Sequence, residues 1–82
     1  MKQPLHKRTL GYPAVFAPDA AGGFVVSFPD FPGCVTEGDN FEQAKANAAE
    51  VLELWIEELN ADHQVIPEYY KRPIIDEVEV VV

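Results

Sequence analysis

Short apolar runs bounded by turn residues fill the first half of the chain, and one long stretch of helical periodicity follows them. Tyr12 to Ala17 (YPAVFA) is rich in residues that favour a pleated surface, and Pro13, which lacks a donor, predicts a strand start or a sheet edge. Asp19 to Gly23 is a connector of hairpin length, so Phe24 to Phe28 is expected to pair antiparallel with the first strand. Pro29-Asp30-Phe31-Pro32-Gly33 then interrupts the sheet. Its two prolines fix two φ angles and Gly33 is free to adopt positive φ, which predicts a stiff loop. Cys34 to Glu37 reads as a short third strand, ended by Gly38-Asp39.

The helix carries the clearest signature. Asn40 is placed as N-cap, with Gln43 three residues later in the capping-box position. Phe41, Ala44, Ala48, Val51, Leu52, Trp55, Ile56 and Leu59 follow at i, i+3, i+4 spacing, predicting a helix over about 41–60. Its opposite face carries Glu42, Lys45, Glu50, Glu53, Glu57 and Glu58. Beyond a connector that holds Pro67 and the pair Tyr69-Tyr70, Val78, Val80 and Val82 alternate with Glu77 and Glu79, which predicts a last strand over Ile74–Val82. The expected fold class is α+β: a two-layer sandwich with an antiparallel sheet under one long helix, in the order β-β-β-α-β. Residues 1–11 are expected to be a flexible lead-in and residues 12–82 a single domain.

Composition narrows the possible roles. A chain of 82 residues supports one small core, and the 48% hydrophobic content excludes a disordered chain. No apolar run approaches the length of a membrane helix, and the basic N-terminal segment lacks the apolar stretch of a secretory signal. The single cysteine, Cys34, cannot form an internal disulfide, which fits a reducing cytoplasm. Fourteen acids oppose six bases, and Lys2, Lys7 and Arg8 all precede the first strand, so three bases face fourteen acids from Thr9 onward. Such a surface repels phosphate backbones and attracts a basic protein.

Candidate chemistry is sparse. His6 and His63 lack a second ligand at metal spacing and read as exposed loop residues, and Cys34 has no neighbouring base and reads as core. Neither a metal nor a cofactor is expected. Asp19, Asp30, Glu37 and Asp39 stand at strand ends, where a magnesium-dependent nuclease would gather carboxylates, but no inward carboxylate lies within the first two strands. Phe31, between two prolines, is either tucked under the helix or offered to a partner.

The segment GGFVVSFPDFPGCVTEGDNFEQAKANAAEVLELWIEEL, followed by IPE, resembles the N-terminal domain of HicB-type antitoxins. Ser27 to Cys34 matches that family's S-F-P-D-x-P-G-C, and Thr36 to Asp39 its T-x-G-D, ahead of an alanine-rich amphipathic helix. The resemblance spans about residues 12–68 and implies a partial ribonuclease-H-like fold without a working catalytic centre. It implies a non-enzymatic antitoxin that covers a small basic RNA-cleaving toxin of the HicA type. Many family members carry an additional DNA-binding domain, and this sequence shows none, so direct nucleic-acid binding is not expected. Loop position and charge nominate Asp30, Phe31, Glu37 and Asp39 as partner contacts. Two alternatives stand beside this reading: a free-standing HicB-like oligomer, and a residual magnesium-dependent nuclease. The β-branched last strand, left as an open edge, predicts a homodimer or a higher even oligomer.

Overall fold

A computed structural model describes residues 10–67 and 73–82 of the chain. Three strands, β1 (Val15–Pro18), β2 (Phe24–Ser27) and β3 (Val35–Gly38), precede the helix α1 (Phe41–Ala61). The sheet is antiparallel throughout, in the order β1-β2-β3. Strand alternation sorts its two faces. Phe16, Phe24 and Val26 point towards the helix, while Val15, Ala17, Val25, Ser27, Val35 and Glu37 share the opposite, open face. The arrangement is the α+β class expected from the periodicity, with the first strand on a sheet edge as Pro13 suggested.

Close approach of helix and sheet depends on small residues. Ala44 and Ala48 are the two buried residues of α1. A Cβ on Gly38 would run into the backbone of Gln43 and Ala44, so the first helical turn can lie against β3 only because that position is glycine. The N-cap forms as expected: Asn40 Oδ1 accepts from the Gln43 backbone N–H at 2.7 Å. Gln43 Oε1 in turn accepts from the Asp39 N–H at 2.6 Å, one residue ahead of the cap position that a standard capping box would satisfy. At the other end, Gln64 N–H donates to the Leu59 carbonyl and His63 N–H to that of Asn60, with His63 at φ 57°. This is a Schellman close in which histidine occupies the left-handed position usually taken by glycine.

The core is small. Val26, Phe28, Phe31, Cys34, Ala44 and Ala48 are buried, and Val51, Leu52, Trp55, Ile56 and Leu59 of the later helix are only half-buried. The reason is length: four-residue strands span about 13 Å, whereas a 21-residue helix runs about 31 Å and overhangs them.

The expected last strand is corrected by the structure. Residues 73–82 form no strand, and they are exposed along their whole length. Alternating valines specify which face a strand would bury, but a strand exists only where another edge supplies hydrogen-bond partners. No such pairing is made among the described residues, so the described sheet has three strands where four were expected. The lead-in expected over residues 1–11 lies outside the described residues except for Leu10 and Gly11, both exposed. The Tyr69-Tyr70 pair also lies outside them.

Candidate functional site

The loop between β2 and β3 is two consecutive β-turns. Phe31 N–H donates to the Phe28 carbonyl and Cys34 N–H to the Phe31 carbonyl, each at 3.0 Å. Pro29 and Pro32 therefore occupy the second position of their respective turns, where a fixed φ is favoured, and Gly33 takes φ 93° in the third position of the second turn. The three-residue repeat sends Phe28, Phe31 and Cys34 into the core and leaves Pro29, Pro32 and Gly33 exposed. Gly33 rests near the Trp55 ring, so the helix supports the loop from beneath.

Two of the nominated contacts belong to this loop. Phe31 is only 3% exposed and meets Tyr12 edge-to-face, with ring centroids 5.0 Å apart. In the free chain it is therefore a core residue that anchors the loop. Asp30 is half-buried, and its Oδ2 atom is buried without a hydrogen-bond partner. A carboxylate oxygen so placed carries a desolvation cost that an incoming donor would relieve.

Glu37 and Asp39 lie elsewhere. Ser27 pairs with Val35 at one end of β3, and Phe24 pairs with Gly38 at the other. Asp30 follows the first end and Asp39 the second, about 10 Å apart along the strand. Glu37 projects from the open face of the sheet, in register with Val25, and both Glu37 and Asp39 are exposed. The four nominated residues thus split into a loop pair and a pair at the far end of β3.

That far end is more acidic than the nomination implied. The β1–β2 hairpin turns there, because Pro18 pairs with Phe24, which pairs with Gly38. Asp19 heads this turn, accepting from Gly22 N–H through its carbonyl and from Ala21 N–H at 3.4 Å through Oδ1. Glu42 stands in the first helical turn, where the helix dipole favours an acid. Asp19, Glu37, Asp39 and Glu42 consequently surround one end of the sandwich. Laying the hairpin register out from its turn would have placed Asp19 there; sequence distance alone hid it. From Val15 to Asp62, ten acids face one base, Lys45.

The chemistry available to these groups is limited. Burial pushes the Cys34 thiol up from its ordinary range, which disfavours the thiolate. His63 is exposed at the helix end. Among the described residues, no three His, Cys, Asp or Glu side chains come together as a metal site. No helix among them is long and apolar enough to cross a membrane.

Comparison with known proteins supplies the family. Residues 12–78 match the model of the HicB-like antitoxin of bacterial toxin–antitoxin systems. A UPF0150 protein of Synechocystis sp. is 38% identical over 61 residues, covering 74% of this chain and 77% of its own length. Another UPF0150 protein, from Thermoplasma acidophilum, is 34% identical over 68% of this chain and 81% of its own. Antitoxin HicB 1 of Photorhabdus laumondii is 37% identical over 73% of this chain, a match that takes in 39% of that longer protein. The chain belongs to the HicB-like antitoxin family.

Proposed function

We propose that this protein is a cytoplasmic antitoxin that neutralises a small basic RNA-cleaving toxin of the HicA type by covering it, with no bond-breaking of its own. The observation that carries this reading is the excess of acid over base on a HicB-like scaffold, ten to one between Val15 and Asp62. An acidic partner steers a basic one into contact and opposes the same phosphates that the toxin must bind. Asp30, Glu37 and Asp39 are the proposed contacts, with Phe31 fixing the loop that presents Asp30. The single-domain unit is residues 12–82. We also propose that the chain self-associates as an even-numbered homo-oligomer, since residues 73–82 leave an apolar strand sequence uncovered.

The test is co-expression with a HicA-type toxin. The pair should co-purify, and the antitoxin should reverse the toxin's growth arrest. Glu37→Lys and Asp39→Lys should each weaken the complex about five- to tenfold while leaving the helical circular dichroism intact. Failure to co-purify and to rescue growth would remove the role. Hydrolysis of an RNA–DNA hybrid by the pure protein with magnesium, lost in Asp30→Asn, would replace it with the nuclease alternative.

A further inference from the structure

We propose that residues 73–82 form the missing fourth strand on a second copy of this chain, adding to the free edge of β1 there in a reciprocal exchange. The proposal rests on the self-association stated above and assigns it a surface.

The segment has the composition of a buried strand in an exposed setting. Ile74, Ile75, Val78, Val80, Val81 and Val82 are each at least 74% exposed. Val78, Val80 and Val82 share one face, and Glu77 and Glu79 share the other. Such a segment aligns its valines with an apolar layer and its glutamates with solvent.

The sheet offers two edges, β3 and β1, and they differ as acceptors. β3 is the strand that α1 covers most, and Asn47 Nδ2 already donates to the Glu37 carbonyl at 2.8 Å. β3 also carries Glu37, which would repel Glu77 and Glu79. β1 (VFAP) bears no charge, and its outer side pairs with nothing among the described residues. Phe16 on its helix-facing side is only half-buried, as are Leu52, Ile56 and Leu59 along the overhanging helix. A fourth strand beside β1 extends the apolar layer that these side chains lack.

The chain's path suits the exchange. Tyr12 Oη donates to the Pro67 carbonyl at 2.6 Å, so the chain leaves the domain beside the approach to β1. From Pro67 to Pro73 an extended chain spans up to about 20 Å, enough to cross a two-fold axis between adjacent β1 edges.

The experiment uses the full chain. Light scattering should give a mass twice the 9.1 kDa of one chain. Ala17→Cys and Glu79→Cys chains, both altered on the open face of the sheet, prepared separately and mixed, should join through a short bismaleimide into a mixed dimer; a Val65→Cys chain in place of Ala17→Cys should not. The buried Cys34 leaves the wild-type chain as an unlinked control. Glu79→Pro/Val80→Pro, which removes adjacent donors pointing to opposite edges, should halve the mass with the helix signal unchanged. A monomeric wild-type chain would overturn both the self-association and the exchange. A dimer whose mixed chains do not link, or that survives the double proline, would overturn the exchange while leaving self-association standing. Linking within one Ala17→Cys/Glu79→Cys chain at 9.1 kDa would show that the strand folds back on its own sheet, and would also overturn it.

Discussion

Phe31 illustrates how one ring decides between packing and recognition. At 3% exposure against Tyr12, its contribution is burial, so Phe31→Ala should cost about 3–5 kcal/mol and Phe31→Leu much less. Urea unfolding measures this directly. Any loss of toxin binding in Phe31→Leu larger than its loss of stability would return the residue to the contact surface. Cys34 supplies a second test at this scale. Its thiol ionises less readily folded than unfolded, so above pH 9.0 the unfolded chain releases this proton first. Stability should therefore fall as the pH rises from there towards the raised folded value, and Cys34→Ala should remove that part of the slope. Unfolding midpoints measured on both sides of pH 9 check the sign.

Among the elements, the helix was the most legible in the sequence, because its signal is redundant: eight apolar positions in phase, an Asn cap and a Gln behind it. It extends to Ala61, one residue past the expected limit. β2 was equally readable, and the positive φ expected of Gly33 is present. Ile74–Val82 was misread because period-two alternation reports a preference for a face and carries nothing about the partner edge. The spatial grouping of the nominated residues was hidden for a related reason. Asp30 and Asp39 are close in sequence, yet a strand separates them in space, while Asp19 is brought near Asp39 by a hairpin. The helix end adds a prediction of its own. His63 holds a left-handed conformation that costs an ordinary residue about 1 kcal/mol, so His63→Gly should stabilise the protein by about 0.5–1 kcal/mol. In a domain of this size that is a rise of a few degrees in Tm, read by thermal unfolding.

For the whole molecule, charge and size set the behaviour. With a formal net charge of −8 and acids gathered at the sheet end and on the outer helix face, association with the proposed basic partner should depend on ionic strength. Raising salt should slow the association rate about tenfold or more while changing dissociation little, measured by stopped-flow or surface binding. A rate insensitive to salt would mean that the acidic face serves another purpose.

The hold of Asn47 on the Glu37 carbonyl has a consequence for assembly. A small sheet with both flanks open and a sticky tail is a recipe for fibres, each chain handing its end to the next without limit. Here the helix guards one flank, so under the proposed exchange growth would have a single direction, and two chains that satisfied each other would leave nothing for a third to join. In that assembly a lone amide on the helix would help keep the population of these chains finite.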